Sequence, residues 1–341
     1  MHSVSKAVTT SVIYPLQPVS AAPVVAMARL LHRRGTGRLW MGQSLSLETQ
    51  QLFAYLAGMG LGVPFGAGVS LMPLRHPYDA AMSARSLASL SDATYVAGIG
   101  PSAPEFQRAL LDGGYPRPVT SAREYAMIMR RLLDGDTVSY RGQQLCINTE
   151  LVAHEAPAVE VGLGVLRIPM ATAAGAVADV AITWLTPPEY IRDALLPAAT
   201  AAAAERGKPA PRIATVVHVA IDRPGRDLRR VALLGAGVHL STAHYTDMLR
   251  QAGIRVHCDD PRAGAQALLD AGVYLTGTPR QIATHLREYQ RHGVNEVILN
   301  AAGVLLGEGT GAALTDLALI LDAVDDLDKS ASAETAAEVK P

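Results

Sequence analysis

The sequence predicts a (β/α)8 barrel with insertions after its fourth and seventh strands. Three observations carry this. Eight short apolar, β-branched runs recur along the chain, helical patterns with recognisable ends separate them, and no region holds strands alone. Several of the runs are nearly continuous in hydrophobic residues, as parallel strands covered on both faces require.

The strands are expected at residues 8–16, 38–42, 65–71, 94–98, 158–162, 180–185, 212–221 and 296–300. Among the helices, Ser121 and Glu124 have capping-box spacing, with Tyr125, Ile128, Met129 and Leu132 on one apolar face and Gly135 as the stop. Thr186-Pro187-Pro188-Glu189 and Thr278-Pro279 read as two more starts, a cap residue followed by proline in the first turn. After the fourth strand comes a Pro/Gly-rich stretch, 101–120, and then "DTVSYRGQQLCI", which predicts a small hairpin around Arg141-Gly142. Residues 223–276 form the second insertion, long enough for a lid or a docking surface. The expected organisation is one barrel domain over 1–326 and a disordered tail over 327–341.

Composition narrows the function. The net charge of −1 gives no reason to expect nucleic acid, whose phosphates need a clustered basic surface. Cys146 and Cys258 are isolated, and no apolar run is long enough to span a bilayer or to form a secretory signal, so a soluble cytoplasmic protein is expected. The histidines are dispersed. "HCDD" (257–260) is their one tight cluster with acids, but adjacent ligands do not converge on one ion, and no metal is expected. "GIGPSAP" and "GLGVLR" lack the third glycine of a dinucleotide fingerprint, and neither a G-x-S-x-G elbow nor a P-loop is present. A barrel without these signals commonly leaves the reaction to a bound organic cofactor.

Four segments carry a resemblance to a known family. "GAGVSLMPLRHPYDAAMSARSLASLSDATYVAGIGPSAPEF" resembles the third-to-fourth-strand passage of the bacterial luciferase-like oxidoreductases, (β/α)8 barrels that use FMN or the deazaflavin coenzyme F420. "TSAREYAMIMRRLLDGDTVSYRGQQL", "MATAAGAVADVAITWLTPPEYI" and "LTGTPRQIATHLREYQRHGVNEVILNAAG" are similar to later passages in the same order, so that the match spans residues 12–303. The "GIGPS" form is most similar to the F420-dependent branch, with FMN as the alternative cofactor.

The resemblance implies specific roles. Gly68 and Val69 fall at the third-strand bulge that supports the back of the ring, often through a non-proline cis peptide, though Gly68 also suits plain close packing. Gly100 and Ser102 follow the fourth strand, where the backbone approaches the cofactor; Ser102 reads equally as a cap. Val165, Leu166, Arg167 and Ile168 correspond to the phosphate-cradling loop. Its usual Gly-Pro is replaced here by Arg167-Ile168, which weakens a backbone-only cradle and leaves the guanidinium as an anion binder or, in the alternative, as a solvated side chain.

"RLWMGQSL" resembles the end of the second strand. Trp40 keeps the aromatic, Gln43 stands where an aspartate is usual, and Ser44 where the histidine is that takes a hydroxyl proton in members oxidising alcohols. Neither replacement titrates near neutral pH. The implied reaction is therefore reduction: F420H2 gives hydride to an activated C=C or C=N bond of a specialised metabolite, such as dehydroalanine in a modified peptide. Alternatives are an FMN-dependent monooxygenase and a non-catalytic barrel acting as a binding or partner subunit. His244 and Tyr245 in the late insertion are the candidate proton donors. His76 reads as part of a strand-to-helix turn, His218 as a core or mouth-facing residue, and Glu105 and Asp112 as solvated. Relatives are commonly homodimers packed through early helices, and "SAAPVVAMARLLHRR" and "DAAMSARSLASL" carry small-residue faces that suit close helix approach between copies and packing within one chain equally.

Overall fold

The computed structural model describes residues 9–338. Eight strands form the ring: β1 (Thr9–Tyr14), β2 (Leu39–Met41), β3 (Phe65–Ala67), β4 (Tyr95–Gly100), β5 (Val159–Gly164), β6 (Val180–Trp184), β7 (Arg212–Ile221) and β8 (Glu296–Asn300). Each pairs with the next, and β8 returns to β1, which closes an eight-stranded parallel α/β barrel. All eight runs predicted from the sequence are the barrel strands, and Val8, the expected first residue of the first, lies outside the described residues.

Within the chain two compact units are distinguished. One comprises Ile13–Trp184 and Arg192–Ala214; the other comprises residues 9–12, Leu185–Ile191 and residues 215–338.

In the first unit, the predicted third strand is split. Phe65–Ala67 and Ser70–Leu71 are separate strands on β4, and the Gly68–Val69 bond between them is a cis peptide. The predicted hairpin is present as Val138–Arg141 paired antiparallel with Cys146–Thr149. The helix before it, Pro118–Leu133, buries Tyr125, Ile128, Met129 and Leu132 as expected and stops before Gly135, whose φ of +87° suits glycine.

Its capping box, however, does not form. The helix begins three residues earlier at Pro118, so Ser121 lies inside it and donates to the Arg117 carbonyl at 3.1 Å. Glu124, only 3% exposed, instead accepts the Gln143 and Gln144 N–H groups at 2.9 and 3.2 Å. A buried carboxylate thus pins the hairpin turn to the helix. Glu124→Ala leaves two backbone donors without their acceptor and should cost about 2 kcal/mol of stability. Denaturant midpoints measure the loss, and amide exchange should quicken at Gln143 and Gln144; unchanged exchange there would disprove the link.

In the second unit, the late insertion folds into helices Leu228–Leu240, Ala243–Gln251 and Pro261–Asp270, then a strand, Tyr274–Gly277, that the sequence reading missed and that pairs with β7. Asp260, from the "HCDD" cluster, caps the third of these helices by accepting the Ala263 N–H at 3.0 Å. Thr278 forms a full capping box with Gln281.

One helix runs Thr310–Glu338, over most of the stretch expected as a tail from residue 327. Alanine and glutamate favour helix despite their tail-like composition, and Arg287 ties the segment down through Asp328 at 2.9 Å. Among the described residues, no helix is long and apolar enough to cross a membrane.

Candidate functional site

Glycines shape the barrel interior in the first unit. Strand pairing sets Trp40 beside Gly66 and Gly98 beside Gly162. A Cβ on Gly66 would lie 2.6 Å from the Trp40 ring, and one on Gly98 would lie 2.4 Å from Ile182 Cδ1 and 2.0 Å from the Ala67 carbonyl. The small residues on β3, β4 and β5 therefore make room for two large side chains, Trp40 from β2 and Ile182 from β6. One level toward the C-terminal strand ends, Val69 takes the corresponding space: a Cβ on Gly100 would lie 2.8 Å from it, and one on Gly164 3.3 Å.

Val69 is half-buried, so it presents an apolar surface at the strand ends. Trp40 does not. It is 0% exposed, packed near Gly68, with the Arg38 guanidinium 6.0 Å from its ring centroid. The aromatic expected at the cofactor-facing end instead fills the interior beneath it, because Gly66 and Gly68 leave a space there that only a large ring closes. Near the N-terminal strand ends, Arg212 donates to both Glu160 oxygens at 2.9 and 2.7 Å, and Arg38 donates to the Phe65 and Thr94 carbonyls.

The end of β2 is tied to the bulge. Gly68 N–H donates to the Met41 carbonyl at 2.8 Å and Gln43 N–H to the Val69 carbonyl at 3.0 Å. Ser44, 3% exposed, is spent on the turn: its N–H donates to Thr49 Oγ1, and its own Oγ accepts the Ser46 N–H at 3.2 Å. Gln43 Nε2 donates to the Ser44 carbonyl at 3.0 Å, which leaves Oε1 buried without a hydrogen-bond partner.

After β4, Gly100 is followed by Pro101 and by Ser102, whose φ is +69°. After β5, Val165 is buried, Leu166 half-buried, and Arg167 and Ile168 exposed. Arg167 is the N-cap of the helix Ile168–Val177. With Pro169 lacking an N–H and Met170 already bonded to the Arg167 carbonyl, the helix start offers the Ile168 amide together with the guanidinium. Apart from Trp40, the site residues expected on β2 to β5 thus lie at the C-terminal strand ends of one unit.

The second unit holds a separate cluster. His218 on β7 is 0% exposed and its Nε2 lies 3.2 Å from Asn300 Nδ2 at the end of β8. Asn300 Oδ1 accepts the Ala302 N–H at 2.8 Å, which orients the amide so that Nδ2 donates to the imidazole. Tyr274 lies 5.4 Å from the His218 ring and His239 6.1 Å; His239 in turn meets Tyr245 edge-on at 4.7 Å, and Tyr245 meets His244 at the same distance. The structure so brings His244 and Tyr245 together with His218, as well as with His239, Tyr274 and Asn300, which sequence reasoning missed. No local spacing signals such a set, because it is assembled from a strand, two helices and two later strands.

Burial lowers the His218 pKa from its usual 6.5 to about 3, helped by the neighbouring His239 and opposed by a backbone hydrogen bond at Gly235. Burial likewise lowers His239 to about 4, with His244 adding to it. The Tyr245 phenol is pushed up by burial. His76 caps the helix Pro77–Ser91 by accepting the Tyr78 N–H and is structural, as read; Glu105 pairs with Arg108 on the surface.

The model of the luciferase-like monooxygenase family matches residues 2–296. Among solved structures, the chain is similar to coenzyme F420-dependent tetrahydromethanopterin reductase from Methanopyrus kandleri, at 15% identity and a TM-score of 0.69 over 91% of this chain and 98% of that one. It is also similar to an F420-dependent secondary alcohol dehydrogenase in complex with an F420-acetone adduct, at 16% identity and a TM-score of 0.70 over 94% and 99%. The oxygenating constituent of 3,6-diketocamphane monooxygenase from Pseudomonas putida, in complex with FMN, matches at 16% identity and a TM-score of 0.67 over 92% and 97%. At these identities the solved structures establish the fold.

Proposed function

Given that the chain belongs to the luciferase-like monooxygenase family, we propose that it is an F420H2-dependent reductase acting on an activated C=C or C=N bond. The observation that carries this reading is the end of β2. Gln43 and Ser44 have no titratable group, and the Ser44 hydroxyl is held in a turn. Removing a proton from an alcohol needs a base at the reacting carbon, and this strand end has none. Accepting hydride from a reduced cofactor needs no such base.

The residues present fit a planar ring with a phosphate tail. Val69 offers an apolar face over glycines that a Cβ would fill, and Arg167 with the Ile168 amide offers donors for an anion. A bound deazaflavin supplies the hydride; the chain supplies the rest. Val69 supports the ring from one side, Arg167 anchors the phosphate, and Gln43 and Ser44 shape the β2 turn. Tyr245 and His244 are the candidate proton donors; burial pushes the Tyr245 phenol up, which makes it a weaker acid and keeps it out of a base's role. FMN shares the ring shape and the phosphate and is the second cofactor reading, favoured by the likeness to the FMN-bound monooxygenase. Met82 and Leu90, exposed on the helix Pro77–Ser91, suit pairing with a second copy of the chain, which sedimentation would reveal as a dimer.

The test is a titration of the purified protein with F420 and FMN side by side, followed by F420H2 oxidation with dehydroalanine peptides, other activated alkenes and imines. Tighter binding of F420 and turnover of an unsaturated acceptor are expected. Efficient oxidation of sugar phosphates or secondary alcohols with F420 would overturn the reductase reading, and exclusive FMN binding would overturn the cofactor.

A further inference from the structure

Gln107 is only 4% exposed although it is uncharged and lies in a loop helix, Pro104–Leu110, after β4. Both ends of its amide are used. Nε2 donates to the Ser102 carbonyl at 3.0 Å, and Oε1 accepts the Tyr115 N–H at 3.1 Å. One side chain thereby clips the start of the β4 loop to its far side. Gly114, at φ +73°, packs against it, where a Cβ would lie 3.3 Å from the Gln107 side chain.

The residue it holds is unusual. Ser102 has φ +69°, a left-handed conformation that residues with side chains adopt at a cost. Pro101 has no N–H to offer. The Ser102 N–H has no hydrogen-bond partner among the described residues, and its hydroxyl makes only a long 3.4 Å contact with the Ala103 carbonyl. With its carbonyl occupied by Gln107, half-buried Ser102 keeps at the C-terminal end of β4 an unspent N–H and a hydroxyl that donates only over a long 3.4 Å to the Ala103 carbonyl.

We propose that Gln107 is a positioning residue: by gripping the Ser102 carbonyl it fixes the turn that leaves the Ser102 N–H and hydroxyl as a donor pair for a polyol or phosphate oxygen of the bound cofactor. This rests on the cofactor site proposed above at the ends of β2 to β5. The sequence marks this loop as a Pro/Gly-rich insertion but gives no sign of Gln107.

The two ends of the amide can be separated. In Gln107→Glu, the carboxylate still accepts from Tyr115 but cannot donate to Ser102 at neutral pH. Gln107→Leu removes both bonds. Dissociation constants for F420 and FMN are measured with the full chain, alongside amide exchange at Tyr115 in the cofactor-free protein. Both variants should weaken binding of the preferred cofactor about tenfold, the worth of one hydrogen bond. Tyr115 exchange should quicken only in Gln107→Leu. Adding Ser102→Gly to Gln107→Leu should recover the share of the affinity that the N–H supplies but not the share of the hydroxyl, because glycine takes the left-handed turn unaided and keeps only the N–H, while Tyr115 exchange stays fast. Wild-type affinity in Gln107→Glu, or no recovery in the double variant, overturns the assignment and leaves the proposed function standing. If the wild-type chain binds neither cofactor, the function and the assignment fall together.

Discussion

Asp316→Ala is expected to lower the unfolding free energy by about 3–5 kcal/mol. Asp316 is 0% exposed and accepts four hydrogen bonds: from Arg223 Nε and Nη2 at 3.1 and 2.7 Å, from Arg226 Nη1 at 2.5 Å, and from the Ile221 N–H at 3.1 Å. Arg226, itself 3% exposed, also donates to both Glu308 oxygens at 2.7 Å and to the Ile221 carbonyl. The network fastens the helix Thr310–Glu338 to the last residue of β7. Its net contribution against an apolar replacement is small, since desolvating the charges offsets most of their attraction. Removing one partner is different, because Arg226 then keeps its buried charge with Glu308 alone. Asp316→Asn retains an acceptor for Ile221 and should lose roughly half as much. Urea midpoints for the three proteins check the order, with amide exchange at Ile221 locating the damage. A midpoint for Asp316→Ala within error of wild type would show that the network contributes nothing.

That network explains what the sequence could and could not disclose. The barrel strands were legible because each is a local run of apolar residues. Thr278 with Gln281 was legible for the same reason, since a capping box is complete within one turn. Ser121 with Glu124 has the same spacing but a different fate: a proline start at Pro118 moved the helix boundary, and a hairpin some twenty residues on claimed the carboxylate. Asp316 and Gln107 had no signature at all. Their partners are set by the fold, and neither lies in a pattern that propensity or periodicity can mark.

The candidate site divides along the same line. Gln43 and Ser44 were noticed as an absence of acid–base chemistry, and the structure adds the reason that Ser44 is not simply a weaker substitute: its hydroxyl already serves a backbone N–H. Trp40 was noticed as an aromatic retained at the right place, yet its ring closes the interior beneath Val69 and has no exposed surface. Residue type was readable from the sequence; the depth at which each side chain sits was not.

Acid should weaken the chain well before most carboxylates titrate, through the histidine cluster. His218 and His239 have folded-state pKa values of about 3 and about 4 against an unfolded value of 6.5, because burial disfavours their charged forms. Below pH 6.5 the unfolded chain therefore binds protons that the folded chain refuses, and stability falls as pH falls. The contribution is fully present above pH 6.5 and is lost progressively toward pH 3–4. Each histidine adds a slope approaching about 1.4 kcal/mol per pH unit within that window, so His218 alone should cost about 2 kcal/mol between pH 6.5 and 5. His239 keeps some exposure, and its share is the smaller. His239→Phe, which preserves a ring against Tyr245, should flatten the dependence by up to one proton. His218→Leu should flatten it more, with some loss at neutral pH from the unpaired Asn300 amide. Urea midpoints at pH 7, 6 and 5 for wild type and both variants decide the matter. Parallel curves for all three would place the acid sensitivity elsewhere, whereas convergence at pH 5 would assign it to this cluster.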